Sequence, residues 1–284
     1  MRQTSPQSSP VVLITGSSSG IGRALCQEYW RRGYRVVATA RQLESLADLQ
    51  AQGMAVWPLD VTQPQQLQTT VAAILATEGR VDVLINNAGF GQFGPLLELT
   101  PTQLQDQFQT NTFAPLYLVQ QVAAAMARQG GGVVVNMGSI AGVTTTPLGG
   151  AYCASKAALH TLSDALRMEL APFGITVVTV QPGAIRSSFG DAALKNLVPI
   201  AADSWYAPIA ERVQERANIS QQGATPVETF AAQLVTILER PRPPAIIRLG
   251  KKSGWLPLLG WLPPVLRDRL FSRRFGLNTL GIKG

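Results

Sequence analysis

Val11-Val12-Leu13-Ile14-Thr15-Gly16-Ser17-Ser18-Ser19-Gly20-Ile21-Gly22 is the stretch on which the fold turns. Its first four residues are apolar and mostly β-branched, which suits a short buried strand. Glycines at 16, 20 and 22 make the next segment a loop. Beyond it Ala24, Leu25 and Tyr29 recur at helical spacing as far as Gly33, a C-terminal stop. Strand, glycine loop and helix together form the layout of a dinucleotide site. Glycine lets the backbone approach a pyrophosphate, and the helix N-terminus offers free N–H groups and the positive end of a dipole. The spacing is G-x-x-x-G-x-G rather than G-x-G-x-x-G, so a plain Gly/Ser turn stays open on this stretch alone.

Moving outward, Tyr34 to Ala40 reads as a second strand, followed by Arg41. In a dinucleotide fold the end of this strand faces the adenine ribose. An acidic residue there binds the 2′-hydroxyl, whereas a basic one accommodates a 2′-phosphate. No Asp or Glu stands between Tyr34 and Leu43, so Arg41 favours NADP(H) over NAD(H); a solvated loop charge is the alternative. Leu43 to Gln52 reads as a helix and Met54 to Leu59 as a third strand, ending at Asp60-Val61, where the carboxylate could meet the adenine amino group. Gln63 to Glu78 is helical, and Val81 to Ile85 is a fourth strand running into Asn86-Asn87-Ala88-Gly89. Thr102 to Arg128 is a long helical stretch containing Asn111, with Pro115 disturbing the ladder just beyond it. A polar residue beside such an irregularity is also a plain bend marker. Gly132 to Met137 is a fifth strand ending near Ser139, and Ile175 to Val180 is a sixth, leading to Pro182-Gly183. Alternating helices and strands with short loops imply one parallel sheet covered on both faces, with ligand beyond the strand carboxyl ends.

Between the fifth and sixth strands a helix runs from Tyr152 to about Pro172. It carries Tyr152 and Lys156, four residues apart and so roughly 6 Å apart on one face. An ammonium there favours the phenolate, so the phenol would exchange a proton below its usual pKa of about 10. Reduction of a carbonyl leaves an alkoxide that needs such a proton, and oxidation of an alcohol needs the reverse. Taken alone, the pair is also an ordinary helix-surface couple.

Composition narrows the alternatives. With 284 residues, 46% hydrophobic and 14% charged, the chain can bury a substantial core. Cys26 and Cys153 show neither disulfide nor metal spacing and fit reduced thiols in a cytoplasmic protein. Cys153 reads as packing beside the Tyr. His160 is the one histidine, read as a helix-packing residue, and no metal site is expected. The net charge is +7, but residues 251–284 hold seven basic residues against one acidic and carry +6 of it. The nearly neutral body argues against nucleic acid. Residues 1–10 read as a short disordered lead, and no apolar run reaches the roughly 20 residues of a membrane span.

Together these pieces resemble the short-chain dehydrogenase/reductase family. TGSSSGIG at 15–22, NNAG at 86–89, Asn111, Ser139, the Tyr152/Lys156 pair and PG at 182–183 stand in the family's order, over roughly residues 10–250. The resemblance implies a Rossmann-type α/β domain with a doubly wound sheet of about seven strands, Ala245 to Leu249 being the last. It implies Tyr152 as general acid/base and Lys156 as the group that lowers its pKa and holds the nicotinamide ribose. Ser139 would bind the substrate oxygen, and Asn111 would keep a water in a relay from Lys156. Cofactor contacts would come from Gly16, Ser18, Ser19, Gly20, Ile21, Gly22, Arg41, Asp60, Val61, Asn87, Ala88, Gly89, Pro182, Gly183, Ile185 and Ser187, the last standing where the family usually has Thr. The implied activity is NADPH-dependent interconversion of a hydrophobic aldehyde or ketone and its alcohol. A 3-ketoacyl or sphingoid-ketone reductase, or an NADP(H)-binding regulatory protein without turnover, are the alternatives. Relatives often assemble, so a homo-oligomer is expected.

Two segments fall outside the strand–helix rhythm. Residues 188–225 are a candidate lid, with Phe189, Leu194, Leu197, Val198, Ile200, Trp205 and Tyr206 suggesting an apolar pocket or simple packing on the body. In residues 251–284, Val265 to Phe275 could form an amphipathic helix with arginines on its polar side. Trp255, Trp261 and several leucines suit an anionic membrane surface, a flap over the substrate mouth, or a dimer contact.

Overall fold

The computed structural model describes residues 9–281. The lead expected over 1–10 therefore lies outside the described residues except for Ser9 and Pro10. From β1 (Val11–Thr15) the chain runs through α1 (Gly20–Arg31), β2 (Arg35–Ala40), α2 (Ala47–Ala51), β3 (Ala55–Pro58), α3 (Pro64–Glu78) and β4 (Val83–Asn86). It continues with α4 (Pro101–Phe108), α5 (Ala114–Arg128), β5 (Gly132–Met137), α6 (Gly150–Leu170) and β6 (Ile175–Pro182). Then come β7 (Ile185–Arg186), α7 (Phe189–Lys195), α8 (Ala210–Asn218), β8 (Thr225–Pro226), α9 (Val227–Leu238), β9 (Ile246–Leu249) and α10 (Pro264–Arg274).

Seven strands form one sheet in the order β3-β2-β1-β4-β5-β6-β9, and every pairing in it is parallel. Side-chain alternation along each strand feeds two cores. Val12 and Ile14 pack with Leu25, Tyr29, Phe230 and Leu234 of α1 and α9. Val11 and Leu13 point the other way, to Leu67, Val71, Leu118 and Val122 of α3 and α5. A strand buried on both faces has no polar side, which is why β1 reads as an unbroken apolar run. This is the doubly wound Rossmann-type architecture, in a single domain. The strand order reverses between β1 and β4, so their carboxyl ends part to leave a crevice.

Two helices depart from expectation. Leu43–Leu46 is a 3-10 turn, and only Ala47–Ala51 behind it is α-helical. The long stretch 102–128 is interrupted by a π-helical turn at Gln109–Phe113. Pro115 lacks the N–H that the preceding turn needs, and the wider turn accommodates that loss. Asn111 lies inside it and is fully buried.

Candidate active site

At the β1/β4 crevice the glycine loop and the Asn87 loop are bound to each other. Asn87 Nδ2 donates to the carbonyls of Thr15 (2.9 Å) and Gly16 (3.1 Å). The Thr15 hydroxyl accepts from the backbone N–H groups of Asn87 and Ala88, both at 3.1 Å. Gly16 has φ +68°, and a Cβ there would lie 2.8 Å from Ala88 Cα. Gly22 faces the Gly16 carbonyl so closely that a Cβ would collide with it. The first turn of α1 carries no acidic residue, and Ser19 at its N-cap makes no side-chain cap, so its N–H groups face the crevice. Ser188 Oγ donates to Ser19 Oγ (2.7 Å), bringing the start of the 188–225 segment over the same loop.

A cleft of about 1100 Å³ runs from this crevice along the strand ends. Every site residue expected from the sequence lines it except Gly22, which is covered by its own loop, and Asn111. Where the cleft meets the end of β2, Arg41 is exposed, and the Asp60 carboxylate accepts from the Thr62 N–H (2.9 Å) and hydroxyl (2.7 Å). An open helix N-terminus, a turn whose Gly16 and Gly22 leave no room for a side chain, and a cleft of this size fit a nicotinamide dinucleotide.

At the other end Tyr152 is 8% exposed, between the rings of Phe93 and Phe189, each 5.6 Å away. Burial pushes the Tyr152 phenol up to about 12, with the Ser139 hydroxyl and the Arg216 charge acting against it. Burial pulls the Lys156 ammonium down to about 8. The expectation of a phenol depressed by Lys156 is thus not met in the polypeptide by itself. Lys156 Nζ donates to the Met137 carbonyl at the end of β5 (2.8 Å), and desolvation outweighs every other influence on the phenol.

Asn111 stands behind the cleft. Its amide oxygen accepts from the Phe90 N–H (3.1 Å), and its Nδ2 donates to the Phe90 carbonyl (2.9 Å) and Ser155 Oγ (3.1 Å). The side chain braces the loop after β4 against α6. Ser139 Oγ accepts from the Ala141 N–H (3.1 Å), while the Ser139 N–H donates to His160 Nε2 (3.3 Å). Burial holds His160 down at about 4, so it is neutral and able to accept. More than a packing residue, it fixes the serine loop, a contact that its place in an amphipathic helix did not announce.

The 188–225 segment corrects one expectation and extends another. Of its proposed pocket residues only Phe189 lines the cleft. Leu194, Leu197, Ile200 and Tyr206 instead pack into small cores of the segment and its neighbours, and Trp205 is 79% exposed. A segment this long must bury its own apolar surface before it can roof a cavity. The residues that do reach the cleft include Arg216 on α8, and Phe93 comes from the loop after β4. Neither was singled out in the sequence, where Arg216 reads as one more charge on a polar helix.

The C-terminal segment folds back on the body. Thr144 Oγ1 donates to the Leu256 carbonyl (3.2 Å), and Phe271 and Phe275 are buried against Leu148, Ile209 and Val213. Leu256, Leu259 and Phe271 line the cleft. Leu266 and Leu270 on the same helix are about half exposed, because α10 packs along its Phe271/Phe275 edge. Among the described residues no helix is long and apolar enough to cross a membrane.

Comparison with known proteins places this geometry in context. The family described as short chain dehydrogenase matches residues 10–197. The short-chain dehydrogenase RED1 of Pyricularia oryzae is 33% identical over 98% of this chain and 99% of its own. A crystal structure of a short-chain dehydrogenase from Streptomyces avermitilis is 34% identical, with a TM-score of 0.79 over 96% of this chain and 98% of that one. A metagenomic short-chain oxidoreductase solved in complex with NADP is 33% identical, with a TM-score of 0.60 over 67% of this chain and 90% of that one.

Proposed function

Because the chain belongs to the short-chain dehydrogenase/reductase family of oxidoreductases, we propose that it is an NADPH-dependent reductase of carbonyl compounds with an apolar body, or catalyses the reverse oxidation. The observation that carries this reading is the placement of Ser139, Tyr152 and Lys156 at one end of the cleft whose other end is the glycine loop. When bound, the nicotinamide supplies or accepts the hydride. The protein's own groups do the rest. A phenol held up at about 12 keeps its proton at neutral pH and is ready to give it to an alkoxide. The Ser139 hydroxyl stabilises the oxygen on which negative charge develops. Lys156, on the same helix face, keeps its charge below pH 8 and, lining the same cleft, would hold the nicotinamide ribose. Phe93, Phe189, Leu259 and Phe271 give the substrate end apolar walls that exclude water.

Solved members of the fold hold NAD as well as NADP, so the preference for NADPH rests on Arg41 and the missing acid after β2. The C-terminal segment, with Trp261 86% exposed and Arg269 and Arg273 exposed on α10, supports a peripheral contact with an anionic membrane surface as a secondary property.

Replacing Tyr152 by Phe removes one hydroxyl and little volume. Carbonyl reduction, followed as NADPH oxidation, should fall by about 10³-fold, within the usual range for a general acid, while NADPH still binds. Retained turnover would end this reading.

A further inference from the structure

Arg216 is 7% exposed, yet it has no carboxylate partner among the described residues. Its Nε donates to Thr146 Oγ1 (2.8 Å), and its guanidinium lies 4.9 Å from the centre of the Phe93 ring. Arg212 and Arg274, close by, behave differently: both pair with Glu215 at the surface. Nothing comparable neutralises Arg216. Burying a cation costs several kcal/mol unless a counter-charge is supplied, and a cation–π contact returns only about 0.5–2 kcal/mol of that. Of five N–H donors, the hydroxyl of Thr146 takes one.

The position of this charge gives it meaning. Arg216 and Thr146 both line the cleft, on the substrate side of Tyr152. Phe93 packs against both Arg216 and Tyr152, 4.9 Å from the guanidinium and 5.6 Å from the phenol ring, so the cation sits within about 11 Å of the Tyr152 ring. A benzene ring or a short aliphatic chain lying over the Phe93 ring is long enough to reach from one to the other. The lining also includes Thr144, Asn196 and Arg274, but Arg274 is half exposed and already pairs with Glu215, which leaves Arg216 as the buried cation on this side, among the described residues, that a substrate could neutralise.

We propose that Arg216 is a specificity-determining residue that pairs with an anionic oxygen of the substrate. The preferred substrates would be carbonyl compounds with an apolar body and a carboxylate about one ring's length from the reacting carbon. The inference rests on the proposed carbonyl reduction and refines its substrate class. Because α8 belongs to the 188–225 segment, the same ion pair would draw that segment onto the bound substrate.

The test uses two aldehydes of similar shape, 4-carboxybenzaldehyde and 4-methylbenzaldehyde, with NADPH, and the wild-type, Arg216→Met and Arg216→Lys proteins. The ratio of their kcat/KM values should favour the carboxylate in wild type. It should fall by about 10–100-fold in Arg216→Met, the worth of a hydrogen bond to a charged group, and lie between the two in Arg216→Lys. An unchanged ratio in Arg216→Met would overturn the proposal, since a purely structural arginine affects both substrates alike. Calorimetric titration with 4-methylbenzoate in the presence of NADPH separates the two ideas. Arg216-dependent binding without turnover of either aldehyde would retain the anion site and reject the reductase. Turnover of the neutral aldehyde without benzoate binding would do the reverse.

Discussion

In the dinucleotide half of the cleft the tightest wall is backbone: the Gly16 turn, closed against Ala88 and Gly22, and the N–H groups of α1. In the substrate half they are side chains, delivered by the loop after β4, by the 188–225 segment and by the C-terminal segment. Backbone walls demand particular residues, because a single Cβ closes them. Side-chain walls accept many residues, provided the pieces that carry them dock. The first half is therefore held by close approach and the second by burial of Phe93, Phe271 and Phe275.

The largest effect should come from loosening the docked half. Phe271→Ala removes a ring buried against Leu148, Ile209 and Val213, a change that costs about 3–5 kcal/mol in a packed core. The C-terminal segment should then become open to tryptic cleavage at its arginines and KM for carbonyl substrates should rise, with NADPH affinity unaltered. Loss of NADPH binding in this variant would mean that the two halves are not separately built.

Gly22→Ala addresses the other half. The added methyl meets the Gly16 carbonyl, a backbone atom held by Asn87. Overpacking of this kind costs about 1–3 kcal/mol, which should appear as a ~10–100-fold weaker NADPH complex in a calorimetric titration, with the C-terminal segment still resistant to trypsin. Unchanged affinity would show that the loop relaxes and that its glycines are not its defining feature.

The same contrast explains what could be read in advance. Gly16, Gly20 and Gly22 are legible because only glycine serves at such positions, and β1 is legible because burial on both faces leaves it uniformly apolar. The Tyr152/Lys156 pair is legible because one helix fixes its spacing. Arg216 is not, since its burial depends on how α8 lies over a loop more than sixty residues earlier. The amphipathic pattern of Val265 to Phe275 could be recognised, but the choice between flap and outward face depends on packing against Leu148 and Ile209, distant in sequence. His160 was hidden for a related reason: its partner is a backbone N–H, which leaves no trace in residue identity.

Arg41 is the exception within the dinucleotide half, since its contribution would come from a side chain. It is exposed and lines the cleft at the end of β2. Between exposed charges about 4 Å apart, attraction in water amounts to only about 1 kcal/mol, and salt screens it over a Debye length of about 8 Å at 0.15 M. Arg41→Asp replaces that attraction for a 2′-phosphate by repulsion of similar size. The ratio of kcat/KM with NADPH to that with NADH should accordingly fall by roughly 30-fold, and the drop should shrink as ionic strength is raised. An unaltered ratio would make Arg41 a bystander and withdraw the main support for NADPH. A drop larger than that caused by Gly22→Ala, and insensitive to salt, would mean that side chains dominate this half too, and the division between backbone and side-chain walls would fail.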